Sequence, residues 1–154
     1  MKWMMLGAFL ASVALVAGAG GWFTAMGVSD WYLTLNRPSW NPPSWLFGPV
    51  WTALYVAMAV AAWLVWREAG LDGATAALTL WGVQLLLNLA WSGIFFALRS
   101  PGWALVEIAA LWLAILATTV LFFRYSGWAG ALMVPYLAWV SFAAVLNAAI
   151  VRLN

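Results

Sequence analysis

The sequence predicts an all-α integral membrane protein, a bundle of five transmembrane helices with a structured loop between the first and the second. Three observations carry this. Of 154 residues, 68% are hydrophobic and only 6% are charged, too little polar surface to cover a water-soluble domain. The apolar residues form continuous runs of about 20, enough to cross a hydrocarbon core about 30 Å thick, rather than the ten-residue alternating pieces of a barrel strand. Short groups of charged and turn-forming residues separate the runs, which makes sequential helices antiparallel neighbours in a single domain over 1–154.

The first span is expected at Trp3 to Met26. Lys2 before an apolar run ending in Ala17-Gly18-Ala19 has the outline of a signal peptide, but the run is long enough to span and is read as a span. Gly7, Ala11, Ala14 and Gly18 recur at helical spacing, which predicts a close approach by another backbone. The second span is placed at Trp45 to Trp66, the third at Ala74 to Leu98, the fourth at Trp103 to Phe123 and the fifth at Trp128 to Val151. Arg67 to Gly73, Arg99 to Gly102 and Arg124 to Gly127 are the expected joints. Lys2, Arg67 and Arg124 fall on one side and Arg37, Arg99 and Arg152 on the other, so the positive-inside count is tied.

The loop at about 27–44 is the long connection. Ser29 or Asp30 is placed to cap a short helical turn through Trp31, Tyr32 and Leu35. Pro38, Pro42 and Pro43 then remove backbone donors and push their preceding residues toward extended conformations, which makes Arg37 to Trp45 a stiff elbow. The apolar side of the turn needs something to cover, and the reading is a membrane-hugging lid that presents Trp31, Tyr32 and Trp40 to a ligand with little left to order on binding. The plainer alternative is an elbow that only sets the geometry between two helices.

Composition removes whole classes of function. With no Cys and no His there is no thiolate site, no imidazole base and no ordinary haem or zinc ligand, so neither a metal nor a cofactor is expected. Six dispersed basic residues make no nucleic-acid footprint. Glu107, about one turn inside its span, is read as anchored in the headgroup region.

The 14 tryptophans divide by depth. Trp3, Trp22, Trp45, Trp63, Trp66, Trp103 and Trp128 sit near span ends, where interfacial belts use them. Trp51, Trp91, Trp112 and Trp139 lie further in, where an indole N–H has no water and must find a partner or a ligand. Polar residues share those depths. Trp81, Gln84, Asn88, Trp91, Ser92 and Phe95 repeat at three and four positions along one face of the third helix. Pro135, Trp139, Phe142, Ala143, Leu146 and Ile150 do so on the fifth, with Ser141 and Asn147 beside them, and Trp51, Tyr55, Met58 and Ala62 on the second. Each stripe taken singly is ordinary packing, with Asn88 and Asn147 as interhelical hydrogen-bond partners. Three stripes converging describe an aromatic pocket with a few orienting polar groups, suited to a flat apolar ligand.

W-Y-L-T-L-N-R-P-S-W-N-P-P-S-W-L-F-G-P-V-W (Trp31 to Trp51), N-L-A-W-S-G-I-F-F (Asn88 to Phe96) and P-Y-L-A-W-V-S-F-A-A-V-L-N (Pro135 to Asn147) together resemble the TspO/translocator protein family, also called tryptophan-rich sensory proteins or peripheral-type benzodiazepine receptors. The resemblance covers essentially the whole chain. It implies a five-helix bundle, commonly a homodimer, in a bacterial envelope membrane, that binds porphyrins such as protoporphyrin IX and drug-like isoquinoline carboxamides and benzodiazepines in a pocket capped by the first loop. Carried over where the motifs match, Trp31 and Tyr32 belong to the lid, Trp51 to helix two, Asn88 and Ser92 to helix three, and Trp139, Phe142, Ala143 and Leu146 to helix five. A sensor or receptor is the first reading and a transporter of porphyrin or sterol-like molecules the second. The third, implied by porphyrin breakdown attributed to some members, is a light- and oxygen-dependent oxidation through Trp51 and Trp139. One departure stands out: Ala148 occupies the place of the aromatic in the cholesterol-recognition pattern of animal members, so the segment Leu146 to Arg152 is not expected to bind sterol.

Overall fold

The computed structural model describes residues 1–154. The chain forms α1 (Lys2–Ala25), a short α2 (Trp31–Thr34), a single 3₁₀ turn (Ser44–Leu46), α3 (Phe47–Gly73), α4 (Thr75–Ser92) continued by a π-helical segment (Gly93–Ala97), α5 (Pro101–Tyr125) and α6 (Gly127–Leu153). Five of these stretches are long and apolar enough to span a bilayer, and the protein is a multi-pass integral membrane protein. α1 packs on α3, α3 on α6, α6 on α5, α5 on α4, and α4 back on α1, so the helices close a ring.

Local chemistry sets the boundaries. Asp30 caps α2, its carboxylate accepting from the Trp31 N–H. Pro101 occupies the first turn of α5, where its missing N–H costs nothing, and the Ser126 hydroxyl accepts from the Ala129 N–H at the start of α6. Between α4 and α5 the chain turns through Arg99 at φ 53°, with its guanidinium 3.6 Å from Asp30 and bonded to the Met26 carbonyl at 3.3 Å.

The predicted joint at Arg67 to Gly73 contains the break: the regular helix of α3 is interrupted at Gly70, whose φ of 70° and ψ of 176° favour glycine, and only Arg67 to Ala69 of the joint continue the helix. The turn beyond is tied back by the Ala74 N–H to the Gly70 carbonyl and by Thr75 to the Leu71 carbonyl. Within the chain the small-residue stripe of α1 packs against nothing, since neither Gly7 nor Gly18 has a neighbour within 4 Å of where a Cβ would stand. The close approaches come further along, at Gly20 beside Ser92 and at Gly27, where an added Cβ would lie 2.7 Å from the Phe96 carbonyl oxygen.

The ring is tight at one end and open at the other. At the closed end Ala59, Ala61, Ala62 and Val65 of α3 are completely buried, and Trp63, expected at the membrane interface, is sealed against the start of α1. Its indole donates to the Lys2 carbonyl at 2.8 Å while its ring stacks on Trp3 at 5.5 Å. Toward the loop end the space between the helices is left for a cavity.

Candidate functional site

A cavity of about 900 Å³ occupies the loop-side half of the bundle. Nine of the thirteen residues expected to bind ligand line it: Tyr32 from the loop, Trp51 and Tyr55 from α3, Asn88, Trp91 and Ser92 from α4, and Trp139, Ala143 and Leu146 from α6. Every lining residue with substantial exposure belongs to α1, to α3 or to the 3₁₀ turn before it, including Ala14, Gly21, Thr52 and Val56. The opening therefore lies in the seam between the C-terminal half of α1 and the N-terminal half of α3.

Trp51 and Trp139 form the aromatic centre, edge to face with ring centroids 6.4 Å apart. Tyr55 lies 5.7 Å from Trp51, and Phe47 and Phe142 lie 6.0 and 5.6 Å from Trp139. Hydrogen bonding separates these two indoles from the others inside the bundle. Trp81 donates to the Met58 carbonyl at 3.2 Å, Trp91 to Asn147 Oδ1 at 3.0 Å and Trp112 to Ser141 Oγ at 2.8 Å. Trp51 and Trp139 donate to no group of the chain, so their N–H groups are available to a molecule in the cavity.

Behind that surface runs a directional ladder. Tyr55 donates to Asn88 Oδ1 (3.3 Å), Asn88 Nδ2 to the Tyr136 hydroxyl (2.8 Å), Tyr136 to Gln84 Oε1 (2.7 Å), and Gln84 Nε2 reaches Met58 Sδ at 3.8 Å. It joins α3, α4 and α6 without leaving a buried amide orphaned. A second relay fixes the opposite wall: Asn147 accepts from Trp91 and donates to the Pro101 carbonyl at 2.9 Å, linking α4, α6 and α5.

The loop closes the top. Tyr32 is 3% exposed, packs on Phe95 and Phe96 and donates to Asn41 Oδ1 at 2.7 Å. Burial pushes its phenol above the ordinary value, with Arg37 and the bond to Asn41 pulling the other way, so it remains a neutral donor. In the π-helical segment the sequence neighbours Phe95 and Phe96 are both buried, with ring centroids 4.8 Å apart. The loop is also tied to the end of α6: Asn36 N–H donates to Asn154 Oδ1 and Asn154 Nδ2 returns a bond to the Asn36 carbonyl at 2.9 Å.

The remaining four expected residues stand off the cavity. Gln84 is fully buried in the ladder, one layer behind the wall, because the α4 stripe enters the tightly packed end at that depth. Trp31 packs edge-on to Phe95, and Trp40, about half exposed, packs on Phe142, so these three form an outer aromatic layer. Met58 and Ala62 of the α3 stripe are likewise in the packed end, and Trp112 is absorbed by the α5–α6 seam. Glu107 does not reach out toward headgroups as expected; both carboxyl oxygens are shut off from solvent and make no hydrogen bond.

Sequence reasoning missed the entire α1 wall (Leu10, Val13, Gly20 and Thr24 among others), together with Phe47 and the part Asn147 plays in lining the cavity. Small residues at Ala14, Ala17, Gly20 and Gly21 were the available signal, since a small-residue helix face leaves room as readily as it invites packing.

Residues 8–153 match the model of the TspO/MBR family. The chain is 46% identical over 143 residues to the tryptophan-rich protein TspO of Chlorobaculum tepidum, covering 90% of this chain and 89% of that one. It is 46% identical over 126 residues to the human translocator protein, covering 80% and 75% respectively. Over 154 residues it is 39% identical to the tryptophan-rich sensory protein of Cereibacter sphaeroides, covering all of this chain and 94% of that one.

Proposed function

The chain belongs to the TspO/MBR family, whose membership supports a membrane sensor/receptor or transporter role, and we propose that it is a receptor that holds a porphyrin or similar flat hydrophobic molecule in the cavity beneath the loop. The observation that carries this is the pair Trp51 and Trp139, two crossed indoles that line an apolar space and donate no hydrogen bond within the chain. The other indoles set deep in the bundle, Trp81, Trp91 and Trp112, are satisfied by the protein itself, as is Trp63 at its closed end. A volume of about 900 Å³ suits a large ring system, lying near the upper end of the roughly 300–1,000 Å³ usual for ligand pockets. Asn88, Ser92 and Tyr55 supply the few polar groups that orient such a ligand, and Tyr32 covers it.

Quenching of tryptophan fluorescence by protoporphyrin IX in detergent or nanodiscs tests the reading. Trp51→Phe and Trp139→Phe should each reduce the quenching and weaken binding, whereas Trp112→Phe should change neither. Undiminished quenching in both cavity variants would place the ligand on the outer surface and end this reading.

Transport is the second reading, favoured by the lateral opening between α1 and α3. Porphyrin flux across proteoliposomes that stops when a disulfide engineered across that seam closes it would promote transport above reception.

A further inference from the structure

A second hollow, about 520 Å³, lies on the outer side of the loop, and its chemistry is opposite to that of the first. Asn36, Arg37, Asn41 and Ser44 line it, in a frame stiffened by Pro38, Pro42 and Pro43. The two spaces adjoin: Ser44 lines both, and the wall between them includes one hydrogen bond, from Tyr32 on the inner side to Asn41 on the outer.

Arg37 is the cation of this hollow. Its guanidinium lies over the Tyr32 ring, 5.1 Å from the centroid, so the aromatic that roofs the inner cavity also positions the charge of the outer one. No carboxylate neutralises it. Asp30, the acidic residue of the loop, is occupied by Arg99, and that is the one ion pair in the chain. A half-buried guanidinium with an open fork, set among amide groups beside a hydroxyl, is suited to a carboxylate, which accepts two parallel hydrogen bonds from it.

We propose that the outer hollow is an anion subsite: a ligand whose flat apolar body lies in the inner cavity extends a carboxylate past Ser44 to pair with Arg37. The chain thus selects flat hydrophobic molecules with an acidic edge over neutral ones of the same shape. This rests on the reading of the inner cavity as the ligand site.

The probes are protoporphyrin IX, which carries two carboxylates, and its dimethyl ester, which has the same ring system and no charge. Both are titrated into the chain in phosphatidylcholine nanodiscs. The wild-type chain should bind the acid about tenfold or more tightly than the ester, the scale of one charge-assisted hydrogen-bonded pair. Arg37→Gln should remove most of that advantage and leave the ester within about twofold of wild type, while Arg37→Lys, which keeps the charge without the fork, should retain part of it. Equal weakening of acid and ester by Arg37→Gln would mean that the residue acts only by shaping the loop, and no effect on either would mean that it meets no anion; each result overturns the subsite while leaving the inner cavity standing. Arg37-dependent loss of the acid's advantage when phosphatidylglycerol replaces phosphatidylcholine would assign the hollow to a lipid phosphate and also overturn the proposal. Failure of both probes to bind the wild-type chain would bring down the inner-cavity reading and this one with it.

Discussion

Tyr136→Phe removes a single oxygen from the centre of the ladder. That oxygen accepts from Asn88 and donates to Gln84, and all three side chains are 3% exposed or less. Without it, Gln84 Oε1 loses its donor and Asn88 Nδ2 its acceptor. Interhelical hydrogen bonds in membrane bundles average about 0.6 kcal/mol and reach about 1.7, so losing two should destabilise the bundle by about 1 to 3.5 kcal/mol. The upper half is favoured because both amides stay buried and unpaired, which costs more than the mean value of a bond. Unfolding in mixed micelles, followed by tryptophan fluorescence, measures the change. Adding Gln84→Leu removes one of the orphaned groups, so the double variant should be less unstable than the two single losses combined, by about 1 kcal/mol. Tyr136 does not line the cavity, so ligand affinity should fall much less than stability. A Tyr136→Phe midpoint within about 0.5 kcal/mol of wild type, the usual noise of a neutral substitution, would show that the ladder does not hold α4 to α6.

Glu107→Met should have the opposite sign: exchanging an unpartnered buried carboxyl for an apolar group of similar volume should leave stability unchanged or raise it by about 1 kcal/mol or more, and a clear loss would reveal a partner for the carboxyl. Gly27→Ala drives a methyl group to within 2.7 Å of the Phe96 carbonyl oxygen, a backbone atom with little freedom to yield, and should cost about 1–3 kcal/mol in the same unfolding assay while loosening the loop; an unchanged midpoint would mean the loop simply shifts. Asn154→Ala removes two of the three hydrogen bonds between Asn36 and the end of α6, leaving the one to the Leu153 carbonyl, and should speed ligand release measured by stopped-flow fluorescence while the unfolding midpoint stays nearly unchanged; an unaltered off-rate would mean that the ligand does not leave past the loop.

The number and placement of the spans were legible because a bilayer imposes length and hydrophobicity on every helix, and Asp30 was legible as one of two candidate caps by local rules alone; Pro101, read as part of a joint, instead opens α5. The exact end of the second span was less so, since Arg67 and Glu68 read as a stop while the helix continues past them to the break at Gly70. In the site, periodicity identified the face of each helix but not the depth at which that face leaves packed protein for open space. Gln84 and Asn88 lie on one stripe one turn apart, yet only Asn88 reaches the cavity. Glu107 was misplaced for a related reason: distance along a helix from its end says how far a side chain must reach, not which way it points.

Depth also explains why the site stands at the loop end. At the other end α3 presents Ala59, Ala61 and Ala62, whose small side chains let neighbouring backbones close in, and the indoles there find carbonyls on adjacent helices. Moving toward the loop, α3 replaces alanine with Tyr55 and Trp51, and α6 replaces it with Trp139. Rings of that size hold the helices apart, and the last two indoles donate to no group of the chain. The ladder from Tyr55 to Gln84 runs along the boundary between the two regimes and fixes where the bundle stops closing. A hollow with unspent indole donors is thus the consequence of changing side-chain size along α3 and α6 while keeping the polar groups paired just below it. Replacing Trp51 and Trp139 by alanine would remove the donors that face the hollow and the wedges that keep it open at one stroke.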